Sequence, residues 1–89
     1  MTTRLDDHAA RMQRLRIARL AGLVGDAYAA GYERGLRRLA HGDRFGTEAE
    51  HALWLKLADD ADEMRAERGR GYRDAIGGRE VPAGAEGTR

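Results

Sequence analysis

The sequence contains no cysteine, no serine and a single proline, Pro82. Without cysteine there is no disulfide framework and no thiolate metal site. Hydroxyl chemistry is left to the tyrosines and to Thr2, Thr3, Thr47 and Thr88, which form no nucleophile array. The chain therefore reads as a non-enzyme, with no catalytic residue and no cofactor. Because Pro82 lies near the C-terminus, no proline interrupts a helix before it. No apolar run approaches the ~18 residues of a membrane span, and the opening MTTRLDDHAARMQ lacks the apolar core of a signal peptide. The expectation is a cytoplasmic protein with no membrane partner. A dominant charge is missing too: the net charge is +1, so no overall field gathers nucleic acid or acidic lipid.

The charges that are present are unevenly placed. Residues 1–42 carry a net +4, residues 43–63 a net −5 and residues 64–89 a net +2. Arginine supplies nearly all the positive charge, and Lys56 is the sole lysine. Arginine, alanine and glycine together are favoured by GC-rich coding, which points to a high-GC bacterial or phage origin. At 89 residues the chain is one domain. Residues 3–77 belong to it, and residues 78–89, with little to bury, read as a flexible tail.

The fold class is all-α, and the pattern predicts an antiparallel two-helix hairpin. The first predicted helix spans about residues 4–41. Thr3 is its cap, Asp6 and Asp7 lie at its positive end, and Arg37, Arg38 and His41 precede a terminal Gly42. The turn GDRFG, residues 42–46, follows. The second predicted helix spans about 48–76, with Thr47 and Glu50 spaced as a capping box and Gly77-Gly78 as its stop. The alternative breaks the first helix near Gly22–Asp26, giving three helices.

Helical periodicity puts Ile17, Leu20, Val24, Tyr28, Gly31, Gly35 and Leu39 on one face of the first helix. Leu53, Leu57, Met64, Gly71, Tyr72 and Ala75 share a face of the second, with Arg68 in its midst. A short turn pairs the two helices antiparallel. Gly35 then faces Leu53, Gly31 faces Leu57, Tyr28 faces Asp60 or Ala61, and Ile17 faces Gly71 and Tyr72. The glycines act as holes for the leucines, and their cost of about 1 kcal/mol each against alanine is offset by closer packing. Leu5, Met12, Leu15, Leu23 and Trp54 are left outside this seam. They predict a second copy as partner, a dimer or higher oligomer built as a helical bundle or coiled coil.

Glu48 and His51 stand three residues apart on one helix face. The stretch Glu48-Ala-Glu-His51 resembles the metal-binding helix of encapsulated ferritins, which are also helical hairpins. The resemblance implies a facing glutamate on the first helix. Here the opposing levels hold Ala40 and Arg37, with Glu33 about two turns away. His41, Asp43, Glu48 and His51 offer a single-metal set near the turn, without the three or four converging ligands that zinc needs fixed in place. The expectation is no metal. The acidic run Asp59, Asp60, Asp62 and Glu63 reads as a solvated face or as a docking surface for a basic protein. Arg11, Arg14, Arg16 and Arg19 spread around their helix and carry the alternative reading, a nucleic-acid-binding accessory protein. The reading favoured is a self-associating protein–protein interaction or assembly module.

Overall fold

The first long predicted helix stops at Leu20. Leu23 N–H donates to the Ala18 carbonyl and Gly22 N–H to that of Arg19, the paired bonds of a Schellman cap. Gly22 takes φ +76°, which glycine adopts without steric cost. A new helix starts at Asp26, whose carboxylate accepts from Arg19 across the break at 3.0 Å.

The second long predicted helix also breaks, at a place the periodicity did not mark. Asp60 accepts from the Asp62 N–H, and Asp62 caps a further helix by accepting from the Arg65 N–H at 2.9 Å. Two of the aspartates read as a solvated helix face, Asp60 and Asp62, thus make a helix–turn–helix junction, because a short carboxylate competes well for free backbone N–H groups.

The computed structural model describes residues 4–81. They form α1 (Arg4–Leu20), α2 (Asp26–His41), a 3-10 turn (Gly42–Phe45), α3 (Glu48–Leu57) and α4 (Glu63–Ile76). No strand occurs among the described residues. Over the described residues the chain is all-α, with four α-helices in place of the two or three expected. The Thr47–Glu50 capping box forms as the spacing predicts, with Glu50 N–H on the threonine hydroxyl and Thr47 N–H on the glutamate. Thr3 and the side chain of Leu5 lie outside the described residues, as do residues 82–89. The first residues of the expected tail are packed: Val81 is buried against Leu15 and Ala18, and Glu80 pairs with Arg14.

α2 and α4 form the central pair, while α1 packs chiefly on α2 and α3 chiefly on α4. The body is therefore two hairpins joined through α2 and α4, with α1 and α3 on the outer sides. It is shallow, 39 × 36 × 17 Å, and its largest fully buried side chains are Tyr32, Tyr72 and Leu36.

Gly31 and Gly35 do line the helix seam, but the partners differ from the expected ones. A Cβ at Gly31 would stand 1.8 Å from the Arg68 carbonyl oxygen, and one at Gly35 would stand 2.7 Å from the Ala75 Cβ. Tyr28 lies beside Gly71 and Gly35 beside Ala75, so α2 and α4 run in the same sense. The break at residues 58–62 turns α4 back and removes Leu53 and Leu57 from the seam. Leu53 is 66% exposed and Leu57 half-buried. The break after Leu20 likewise resets the phase of α1. Leu15, expected outside the seam, is 5% exposed in the core, whereas Ile17, expected inside it, is 56% exposed.

The two hairpins also echo each other. Gly31-Tyr32-Glu-Arg-Gly35-Leu36 recurs 40 residues later as Gly71-Tyr72-Arg-Asp-Ala75-Ile76, and Leu15-Arg-Ile-Ala18 recurs as Leu55-Lys-Leu-Ala58. The contacts obey the same exchange. Gly31 abuts the Arg68 carbonyl, and Gly71 abuts the carbonyl of Tyr28, the equivalent of Arg68. Arg11 reaches the Tyr32 hydroxyl, and its equivalent His51 reaches that of Tyr72. An approximate two-fold axis therefore passes between Gly31 and Gly71.

Candidate interaction surface

The polar groups nearest the interior act as pins. Arg11 donates to the Tyr32 hydroxyl at 3.0 Å and to the Ala75 carbonyl at 3.2 Å. Tyr32 in turn donates to the Arg79 carbonyl. Tyr28 donates to Asp74 at 2.5 Å; burial, reinforced by that carboxylate, pushes its phenol well above the ordinary tyrosine range. Burial also raises Tyr72. Both rings stay neutral at ordinary pH and serve as hydrogen-bonded packing.

Glu48 accepts from Arg38 at 2.9 Å, and His51 Nδ1 shares a 2.6 Å hydrogen bond with Tyr72. The two residues of the ferritin-like stretch are each engaged by a different protein partner. Among the described residues no three His, Asp or Glu side chains gather as a metal set. The side chain of Asp43 is outside the described residues. The His41 ring lies 5.8 Å from that of His8 and 6.4 Å from Phe45, away from His51. Trp54, expected at an interface, stacks on Tyr72 at 5.2 Å and is half-buried. Above it, Arg34 lies 4.6 Å over Phe45 and 6.0 Å over the Trp54 ring, tying the 3-10 turn to α3.

The arginines of α1 are largely committed within the chain. Arg14 pairs with Glu80 at 3.1 Å and Arg19 with Asp26 at 3.0 Å, while Arg11 is held by Tyr32. The acidic run is engaged in the same way: Asp59 pairs with Arg73 at 3.6 Å and Glu63 with Arg70 at 2.8 Å. Asp60 and Asp62 make the junction already described. Arg68 is half-buried, and its carbonyl forms the contact with Gly31.

Exposed apolar side chains remain as well. Leu20 is 83% exposed at the mouth of a groove between α1 and α2 that Asp26, Ala29 and Glu33 also line, and Ile17 is exposed as well. Met12 is half-buried against the core, and Leu23 is partly exposed at the break. α3 is the most apolar of the four helices, yet none of its residues is buried. Its outer side carries Ala49, Ala52 and Leu53, all exposed. Sequence periodicity had assigned Ile17, Leu20 and Leu53 to the interior. The 40-residue echo is the signal that could have corrected this, since it divides the chain into two short hairpins and sets the phase of each helix separately.

No helix among the described residues is long and apolar enough to cross a membrane. No known protein family, curated protein or solved structure matches the chain, so its own residues carry the reading of function.

Proposed function

We propose that the protein is a small non-enzymatic α-helical interaction module that associates with itself. The observation that supports this most is the condition of α3: the chain's most apolar helix has no buried residue. Isolated exposed leucines are ordinary on a protein surface. α3 leaves Ala49, Ala52 and Leu53 exposed and Trp54, Leu55 and Leu57 only half-buried, and with Ile17 and Leu20 exposed on the opposite hairpin this is a pattern of surfaces awaiting a protein partner. A shallow body with few fully buried side chains adds to this, because a second copy supplies the depth that a chain this size lacks.

The nucleic-acid reading draws less support. Arg11, Arg14 and Arg19 each have a partner within the chain, so phosphate contact would have to break those pairs. Static light scattering at tens of micromolar tests the proposal. A mass above 9.8 kDa that falls on dilution is expected; a constant 9.8 kDa overturns it.

A further inference from the structure

After Ile76 the chain turns back over the body. Gly78 takes φ +80°, a left-handed turn that glycine adopts freely, and Arg79–Val81 then lie across α2 and α1. Three contacts hold this strap. The Arg79 carbonyl accepts from the Tyr32 hydroxyl, Glu80 pairs with Arg14 at 3.1 Å, and Val81 is 8% exposed in the cluster that contains Leu15 and Ala18. Arg11 of α1 adds a hydrogen bond to the Ala75 carbonyl near the end of α4. The Arg14–Glu80 pair is exposed and contributes little, so the buried valine carries most of the hold.

α1 is seated differently from α3. In the second hairpin Gly69 lets the end of α3 come down onto α4: a Cβ there would stand 2.2 Å from the Ala58 nitrogen. The counterpart of Gly69, 40 residues earlier, is Ala29. Its methyl group stops α1 from closing on α2 at that level as α3 closes on α4, and a groove lined by Met12, Leu15, Leu20 and Ala29 runs between the two helices. α1 is joined to α2 through Gly22, at φ +76°, and Gly25, which caps α2 without a side-chain hydrogen bond. The Arg19–Asp26 pair across that break is exposed and holds weakly.

We propose that Arg79–Val81 is a latch, and that α1 opens from the body as a unit, turning about Gly22–Gly25, when the latch releases. Opening uncovers the apolar side of α1 around Leu15 and Ala18. The α2–α4 seam stays closed, because its glycine contacts at Gly31 and Gly71 involve neither α1 nor the strap. The motion belongs to one chain and does not depend on association between copies.

Hydrogen–deuterium exchange of the full chain, read helix by helix at low protein concentration, tests it. In the parent, α1 amides should exchange faster than those of α2 and α4. Val81→Asp puts a charge into the buried site of the latch. Exchange in α1 should then rise at least about tenfold, while α2 and α4 keep the parent's rates. Val81→Ala should act in the same direction to a smaller degree, and it carries the test should the aspartate variant fail to fold. A parent whose α1 exchanges as slowly as α2 overturns the proposal. Unchanged α1 exchange in a folded valine variant overturns it as well. So do equal increases in α1, α2 and α4, since Val81 would then belong to a single cooperative core.

Discussion

Gly31 rests directly on the carbonyl oxygen of Arg68, where even a methyl group would come within 1.8 Å of backbone. The obstacle is main chain, which cannot swing aside as a side chain can. Gly31→Ala should therefore destabilise the protein, although alanine favours helix by about 1 kcal/mol. Overpacking of this kind costs ~1–3 kcal/mol or more. Gly71→Ala meets the Tyr28 carbonyl at 2.1 Å and should behave alike. Thermal melts of the two variants decide the matter, and a raised melting temperature in either would show that α2 and α4 do not touch there.

Leu15 and Ile17 offer a contrast two residues apart. Leu15→Ala removes a buried side chain and should cost ~2–4 kcal/mol. Ile17→Ala alters an exposed one and should change monomer stability by less than about 0.5 kcal/mol. Denaturant titration at low protein concentration measures both, and the reverse order would restore the continuous-helix register.

Caps should matter at both helix starts of the second hairpin. Thr47→Ala and Asp62→Ala each remove a side chain that accepts a backbone N–H, at ~1 kcal/mol apiece. Helical circular dichroism followed through urea unfolding reads this directly.

The raised phenols of Tyr28 and Tyr72 predict loss of stability in alkali. Each phenol ionises more readily in the unfolded chain, so the unfolded state sheds its proton first as pH rises. Their contribution is complete below the unfolded value of about 10 and declines above it. Urea midpoints between neutral pH and strong alkali should fall for the parent, and less steeply for Tyr28→Phe, whose ring has no proton to lose.

Local determinants were legible in the sequence. The Thr47–Glu50 box and the Gly77-Gly78 stop each depend on a few adjacent residues, and the chemistry of those residues suffices, whereas the break at Gly22–Asp26 entered only as the alternative to a continuous first helix. The junction at Ala58–Asp62 was not, because aspartate on a solvated helix face and aspartate capping the next helix share one hydrophobic pattern. Its omission propagated. With one unbroken second helix, Gly31 and Gly35 were given the right face and the wrong partners, and Leu53 was placed inside. The exposed apolar side chains were hidden for the same reason: whether Ile17 or Leu15 faces inward depends on where α1 is cut from α2, a choice made by long-range packing.

The Gly42–Gly46 link carries a consequence of its own. It ties together two hairpins whose Tyr32 and Tyr72 are buried among contacts that both halves share, so their meeting is a first-order event within one chain, insensitive to protein concentration. Contacts between copies, as proposed, would be second-order. Dilution should therefore strip copies from one another while every chain keeps its paired glycines, separating assembly from folding on a single concentration axis.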